Sequence, residues 1–193
     1  AYVTLGNSYF YKYQTLKRIG SLPAKLRNDM IDSSIKYGTI ALNYYHRHQN
    51  LIQMSSIYDD RGVDYFIKGE EQALDWFLKG LEVSKMIEDT NKRNIIEGLL
   101  YSNLGCYYYD YKNNLEMGYS QSTLGVNLLN KTDRYDLLTD ALLTLGVIDI
   151  DRGRYHRAAQ YLHRALNLID TFLIKIGQIV HYDPVFRIWG VTQ

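Results

Sequence analysis

The amino-acid sequence predicts an all-α chain built from helical hairpins. Only 2 of its 193 residues are proline, while its 14 glycines are an ordinary number, and this balance favours helices joined by short turns over an all-β chain. Apolar residues recur at helical spacing along most of the sequence. A skeleton of glycine and other small residues also repeats at intervals of about 40 residues, which is typical of repeat architectures.

The clearest repeat unit is residues 141–170. Leu145 and Gly146 lie in its first helical pattern, and Gly153 separates this pattern from the second, where the chain reversal favours a residue that can adopt positive φ. The apolar side of the second pattern comprises Tyr155, Ala158, Ala159, Leu162, Ala165, Leu166 and Ile169. These steps of three and four residues predict one buried helix face.

The same skeleton recurs upstream in residues 98–126 and 61–82, and in a first unit that has a longer connection through Gly20, Ser21 and Pro23. The glycines of the four first helices are Gly6, Gly62, Gly105 and Gly146. They are 56, 43 and 41 residues apart. Because a glycine inside a helix costs about 1 kcal/mol relative to alanine, their recurrence indicates that these helices cross their neighbours closely.

Eight helices in four hairpins account for this pattern. Their predicted spans are residues 1–19 with 27–49, 51–68 with 71–88, 93–111 with 114–130, and 134–152 with 155–170. The connections 88–91 and 130–133 contain residue types that cap helix N-termini.

Residues 171–182 are predicted to form a further helix that covers the apolar face of the last hairpin. Asp183 and Pro184 should end that helix, because the residue before a proline is disfavoured in helical conformation. The sequence therefore predicts a single domain over residues 1–182, followed by an unassigned tail at 183–193.

These motifs resemble the tetratricopeptide repeat family, whose pattern is W-x2-L-G-x2-Y followed by G-x-Y-x2-A. Residues 141–170 match it in register, except that Asp149 stands where tyrosine is usual. Residues 98–126 and 61–82 match with a one-residue offset in the turn. The period near 40 exceeds the usual period of about 34, and the proline that often ends each unit is absent. The chain is similar in this respect to the long-period variety found in bacterial signalling proteins, peptide-sensing regulators and motor light chains.

The resemblance implies a right-handed α-α superhelix, or solenoid, of about four hairpins plus a C-terminal capping helix, with an extended concave surface. In such a solenoid the first helix of each hairpin lines the concave face. The residues expected there are Asn7, Phe10, Tyr11, Val63, Phe66, Ile67, Cys106, Tyr109, Asp110, Val147, Ile150 and Asp151.

An amphipathic helix or an extended peptide suits this aromatic and apolar groove with a few carboxylates. Packing against the next hairpin is the alternative for each of these side chains. The carboxylate clamp of the family is not expected, because the matching inner positions lack basic residues.

Composition and motifs exclude several other functions. Lys and Arg number 22 against 21 for Asp and Glu, so bulk charge does not direct the chain to nucleic acid. The sequence contains no apolar run of about 18 residues, so we expect no membrane span. The single Cys106 excludes an intrachain disulfide and a cysteine-based zinc site. Since no catalytic motif is present either, we expect no catalytic residue, cofactor or metal, and a protein that is not an enzyme.

Clusters of polar and aromatic residues elsewhere are interpreted as packing or surface. The run from Tyr107 to Tyr109 is expected mostly to pack, and His46 and His48 to lie at a solvated helix end. The acidic pairs at 59–60, 70–71 and 149/151 are expected on helix surfaces or caps. The last hairpin should carry a solvated basic stripe, or alternatively a docking surface for an acidic partner. This stripe comprises Arg154, His156, Arg157, His163 and Arg164.

The sequence therefore predicts a non-catalytic scaffold that binds a protein or peptide segment on its concave face, in the cytoplasm, without direct contact to nucleic acid or membrane. The alternative is the sensory or regulatory portion of a larger bacterial signalling protein or transcription regulator. Homo-oligomers formed through exposed hairpin faces are a further possibility.

Overall fold

Seven α-helices form the described part of the chain, which confirms the prediction of an all-α fold. The structure is a computed structural model that describes the backbone of residues 23–182 and, apart from Ala24, the side chains up to residue 170. The helices are α1 (Ala24–Arg47), α2 (Leu51–Lys68), α3 (Gln72–Ser84), α4 (Thr90–Cys106), α5 (Leu115–Leu129), α6 (Tyr135–Asp151) and α7 (Tyr155–Tyr182). A π-helical turn, Tyr107–Tyr111, continues α4. No strand occurs between residues 23 and 182.

Local capping explains where three of these helices begin and where two of them end. The side chains of Asn50, Asp89 and Asn114 each accept a hydrogen bond from the backbone N–H three residues later, at 3.0 to 3.1 Å, and so start α2, α4 and α5. Gly69 and Gly153 follow α2 and α6 with φ of 74° and 68°. Only a residue that tolerates this left-handed conformation closes a helix so tightly.

Two predicted helix ends are wrong. Helix α7 runs without a break to Tyr182, so residues 171–182 continue it and form no separate capping helix. The stretch 155–176 contains neither glycine nor proline, the residues that usually end a helix. The predicted cap at 130–133 is also wrong, since the residue before α6 is Arg134, whose N–H donates to Thr132 Oγ1 at 3.3 Å.

Consecutive helices pack against one another throughout the described residues. The closest partners are α2 with α3, α4 with α5, and α6 with α7, which are three of the four predicted hairpins. Helix α1 packs on α2, α3 on α4, and α5 on α6, so each hairpin also contacts the next. The first helices α2, α4 and α6 contact each other in the same order. The predicted helix at residues 1–19 and the tail at 183–193 lie outside the described residues.

Two apolar clusters lie where neighbouring hairpins meet. Phe77, Leu100 and Tyr107 are buried in the first cluster, which joins α3 to α4. Leu129 and Leu142 are buried in the second, which joins α5 to α6. Because burial of one large apolar side chain contributes about 1.5–3 kcal/mol, these clusters hold successive hairpins together.

The recurring glycines lie at close helix crossings, as the sequence predicts. A Cβ atom at Gly146 would lie 2.8 Å from Leu162 Cδ2, and one at Gly105 would lie 2.9 Å from the backbone nitrogen of Ser122. At Gly62 it would overlap the ring of Phe77. The fourth such glycine, Gly6, lies outside the described residues.

Candidate functional site

Polar contacts tie the first helices α2, α4 and α6 to one another. The side-chain amide of Asn103 on α4 donates to both carboxylate oxygens of Asp59 on α2, at 2.9 Å each. Cys106 Sγ lies 3.5 Å from Thr144 Oγ1 of α6. These contacts join α2, α4 and α6. We call the surface formed by Asn103, Cys106, Asp110, Asp140, Thr144 and Asp151 the inner face.

The residues of α2 that were predicted to line the concave face are partly engaged in packing. Val63 and Phe66 are half-buried and lie against the cluster around Phe77 and Leu100. The ring of Phe66 also meets that of Tyr107 edge to face, with centroids 6.0 Å apart. Phe66 therefore supports the inner face by joining α2 to α4. Ile67 is half-buried, and by helical spacing it lies near Val63.

The π turn sets the positions of the predicted α4 residues. Within Tyr107–Tyr111 the backbone hydrogen bonds span five residues instead of four, and the N–H of Lys112 donates to the carbonyl of Tyr107 at 3.2 Å. Tyr107, the first residue of this turn, is fully buried in the core, as expected for most of this tyrosine run. Tyr109 and Asp110 follow on the side of the helix away from that core.

Tyr109 and Cys106 both make contacts across to α6. The Tyr109 hydroxyl donates to Asp151 Oδ2 at 2.5 Å, and this bond, with burial as a smaller cause, raises the pKa of Tyr109 to about 12. Burial raises the pKa of the Cys106 thiol, and the neighbouring charges of Asp110 and Asp140 raise it further. The thiol is therefore held in its neutral form, which makes it a poor nucleophile.

The predicted residues of α6 remain accessible. Val147 and Ile150 are each 42% exposed, and Asp151 is exposed as well. Thr144 and Asp151 face α4, and Val147 lies within about 60° of Thr144 around the helix, so it borders the inner face. Ile150 lies about 100° from Asp151, so it is turned away from α4. The remaining predicted residues, Asn7, Phe10 and Tyr11, lie outside the described part of the chain.

The inner face is acidic. Asp110, Asp140 and Asp151 are all exposed on α4 and α6, and the first two influence the same Cys106 thiol. Of the four aspartates of α6, Asp149 is buried against Arg157 and Asp136 pairs with Arg134, so Asp140 and Asp151 supply the charge of α6 on the inner face. Because α2 directs Arg61 to the carbonyl of Ile35 on α1, that cation is also turned away from the inner face.

Three carboxyl groups of α2 have pKa values well above the ordinary range. Burial raises the pKa of Asp59 to about 8, although the hydrogen bonds from Asn103 oppose the shift. Burial also raises the pKa values of Asp60 and Asp64 to about 7. At neutral pH Asp60 and Asp64 are therefore close to half ionised and Asp59 is mostly protonated, so the charge of these groups varies with pH.

Several predicted surface residues are in fact buried or paired. Asp59 is only 4% exposed and Asp149 is fully buried, so neither lies on a helix surface as expected. Arg157, predicted to belong to a solvated basic stripe, donates to both carboxylate oxygens of Asp149 at 2.5 and 2.8 Å. Its guanidinium also lies 4.8 Å from the Tyr119 ring centroid. This pair holds α6 and α7 together.

Metal and membrane sites are not found in the described residues. Among residues 25–170, whose side chains the structure describes, no group of three or more His, Cys, Asp or Glu is arranged to hold a metal ion. His48 instead places Nδ1 at 2.8 Å from the carbonyl of Tyr44. Within the same range, the helices lack the length and apolar character needed to cross a membrane.

Sequence reasoning placed Asn103 on an inner helix but missed two other residues of the inner face, Asp140 and Thr144. Asp140 and Thr144 precede Val147 by seven and three residues, so helical spacing alone could have placed them beside it. The pairing of Asn103 with Asp59 spans 44 residues, and no local signal in the sequence reveals it.

The arrangement can hold a ligand by charge and apolar contact, since it combines exposed carboxylates with Val147 in one surface. No protein-family model and no curated protein matches the chain.

Proposed function

We propose that this chain is a non-catalytic scaffold of the tetratricopeptide type that binds a protein or peptide segment on its inner face. Successive hairpins would form a right-handed α-α superhelix, and the inner face would be its concave side. The order of helix contacts supports this arrangement, because α2, α4 and α6 meet one another while α3, α5 and α7 pack against their own first helices.

A single observation carries the choice of ligand. The exposed carboxylates of Asp140 and Asp151 lie on the same side of α6 as the half-exposed Val147, and the carboxylate of Asp110 is exposed on the π turn after α4. Complementary charge attracts a segment that contains lysine or arginine, and an apolar side chain of that segment can cover Val147. The proposed ligand is therefore a basic peptide segment with apolar residues.

Selection from a random peptide library displayed on phage tests this proposal directly. We expect the peptides retained by the chain to be enriched in lysine and arginine together with apolar residues. Their binding should weaken as salt rises, because exposed charges are screened over about 10 Å at 0.1 M ionic strength. Retained peptides without an excess of basic residues would contradict the proposal.

Matched variants locate the binding surface. The double variant Asp110→Asn with Asp140→Asn removes two inner-face charges without changing side-chain size, and we expect it to weaken binding of a selected basic peptide by at least about tenfold. The control is Asp75→Asn with Glu82→Gln, which removes two exposed charges from α3. Equal loss of binding in both variants would show that the ligand uses another surface.

A further inference from the structure

A groove runs between the second helices α3 and α5. Its floor is formed by α4 and the π turn, which contribute the half-buried Tyr101 and Tyr108. Leu78 of α3 is 50% exposed and Leu124 of α5 is 42% exposed, and these side chains line its two sides. The groove has a volume of about 390 Å³, which lies within the size range of sites for small molecules. We call the groove lined by these four residues the outer groove, and it shares no residue with the inner face.

The repeat provides an equivalent of this groove one hairpin later, in the space between α5 and α7. Shifting the sequence by 40 residues aligns both glycines of α5 with alanines of α7. In this register Gln121 and Leu124, which line the outer groove, correspond to Tyr161 and Arg164 of α7. The two spaces therefore differ in the side chains that face them from the following hairpin.

Side chains of the protein itself fill the space between α5 and α7. The Tyr161 hydroxyl lies 2.9 Å from that of Tyr119 on α5, and Tyr161 also packs against the second apolar cluster. Arg164 donates a hydrogen bond to the side chain of Asn130, the residue that follows α5. These two contacts join α5 to α7 directly.

The outer groove lacks both of these contacts. A shift of 45 residues aligns the small residues of α3 with the glycines of α5, so Lys85 takes the place of Asn130. Leu124 takes the place of Arg164 and has no donor to offer. Among the side chains that the structure describes, no hydrogen bond joins α3 to α5. The outer groove is therefore open where its equivalent is filled.

Two opposite charges lie at the edge of the outer groove. Glu82 and Lys85 of α3 are exposed and line it, and neither forms an ion pair with another described residue. Residues three apart on a helix are neighbours on its surface, with Cβ atoms about 5–6 Å apart. A ligand that pairs with both must carry an ammonium group and a carboxylate close together, as a free α-amino acid does.

The apolar part of the outer groove selects the side chain of this ligand. Its tyrosine rings favour edge-to-face or offset contact with another aromatic ring, and in the equivalent space the chain itself provides the ring of Tyr161. We propose that the outer groove binds a free aromatic α-amino acid. The aromatic ring lies between Leu78 and Leu124, the ammonium group pairs with Glu82, and the carboxylate pairs with Lys85. This binding does not depend on the peptide proposed for the inner face.

Titration of the isotope-labelled chain with L-phenylalanine, followed by NMR, tests the proposal. We expect saturable binding with a dissociation constant below about 1 mM, with shifts in α3, the π turn and α5. Phenethylamine, phenylpropionate and L-alanine lack the carboxylate, the ammonium group and the ring, respectively, so each should bind at least about tenfold more weakly. Absence of saturable binding by L-phenylalanine, L-tyrosine and L-tryptophan would overturn the proposal. Equally tight binding of N-acetylphenylalanine amide would also overturn it, since this compound presents the ring without either charge.

A double variant fills the outer groove with the residue types that fill its equivalent. Lys85→Asn with Leu124→Arg supplies the asparagine and arginine that join α5 to α7, so we expect an unchanged helical circular dichroism spectrum and at least about tenfold weaker binding of L-phenylalanine. The matched control is Lys25→Asn with Leu26→Arg on α1, where both residues are exposed. Equal affinities of the double variant and the control would place the site elsewhere.

The single variant Lys85→Met tests the carboxylate contact without adding a new one. Because Lys85 is exposed, we expect the fold to be retained. Binding of L-phenylalanine should weaken, whereas the weaker binding of phenethylamine, which has no carboxylate, should stay the same. Equal weakening for both compounds would contradict a pairing of Lys85 with the carboxylate.

Discussion

The Tyr109 hydroxyl donates a hydrogen bond of 2.5 Å to Asp151 Oδ2 and so links the π turn after α4 to the end of α6. The two residues are 42 positions apart and belong to neighbouring hairpins. This bond fixes the relative positions of two first helices whose exposed residues form the inner face.

Replacing Tyr109 by Phe tests the contribution of this bond. We expect the free energy of unfolding to fall by about 1 kcal/mol, because the acceptor is charged but the pair is accessible to water. Urea denaturation of the single variants, of Asp151→Asn and of the double variant gives the coupling between the two groups. Strictly additive losses would mean that the two side chains do not interact.

Because of its hydrogen bond to Asp151, Tyr109 should make the stability of the protein depend on pH in the alkaline range. The folded protein raises the pKa of Tyr109 to about 12, whereas a tyrosine in the unfolded chain ionises near 10. The contribution of Tyr109 is therefore complete below about pH 10 and is lost as pH rises towards 12. Spectrophotometric titration at the absorbance of phenolate should show one fewer group ionising above pH 11 in Tyr109→Phe. An unchanged titration there would contradict the assignment.

The space around two glycines predicts opposite effects for their substitution by alanine. A Cβ atom at Gly105 would lie 2.9 Å from the backbone nitrogen of Ser122 and 3.1 Å from the carbonyl oxygen of Gly118. Because backbone atoms cannot move aside cheaply, Gly105→Ala should lower the free energy of unfolding by about 2 kcal/mol or more. At Gly38 on α1, the nearest atom is Arg61 Nε at an ordinary 3.5 Å.

Gly38→Ala should therefore raise stability by about 0.5–1 kcal/mol, since alanine favours a helix over glycine. Thermal and urea unfolding of both variants provide the comparison. A stabilised Gly105→Ala chain would show that the helices separate without loss, and the close crossing would then have no importance for the fold.

Most of the helices could be predicted because the residues that determine a helix and its ends lie close together in the sequence. The apolar period, the caps Asn50 and Asp89, and the turn glycines Gly69 and Gly153 all act within a few residues. The π turn at Tyr107–Tyr111 was not predicted, since it follows from burial of Tyr107 between α2, α3 and α4 rather than from its neighbours along the chain.

The inner face was predicted less completely for a related reason. Periodicity places Cys106, Asp110 and Val147 on first helices, but it does not reveal which side of a helix meets the next hairpin. Phe66 was assigned to the groove, although its ring contacts Tyr107. The acidic character of the surface depends on where Arg61 and Arg157 direct their charges, and both find partners on other helices.

The buried ion pair of Asp149 and Arg157 predicts a large loss on removal of the cation. Asp149 is fully buried, and Arg157 donates to both of its oxygens. Arg157→Leu leaves the carboxylate without this partner and should lower the free energy of unfolding by about 2–4 kcal/mol. The matched control is Arg134→Leu, because Arg134 also donates to both oxygens of Asp136 but that pair is exposed.

The control should change stability by less than about 1 kcal/mol, since water screens an exposed pair. Urea denaturation at the same pH and salt gives both values. Losses of equal size in the two variants would indicate that burial of Asp149 adds nothing to the importance of its partner.

The buried Asp59 predicts that stability declines as pH rises. In the unfolded chain its carboxyl group ionises near the ordinary pKa of about 4, whereas burial raises its folded-state pKa to about 8. Between these values the folded protein retains a proton that the unfolded chain has released. The free energy of unfolding contributed by Asp59 therefore falls from about pH 4 to about pH 8 and is constant above.

Asp59→Asn removes the ionisable group while its amide oxygen can still accept from Asn103. We expect the variant to be more stable than the unaltered chain at pH 8 by about 1–3 kcal/mol, with a smaller difference at pH 5. Asp75→Asn on the exposed side of α3 is the control and should leave the pH profile unchanged. Since Asp60 and Asp64 also carry raised pKa values, the Asp59→Asn chain should retain part of the decline. Parallel pH profiles for the unaltered chain and Asp59→Asn would show that Asp59 ionises alike in the folded and unfolded states.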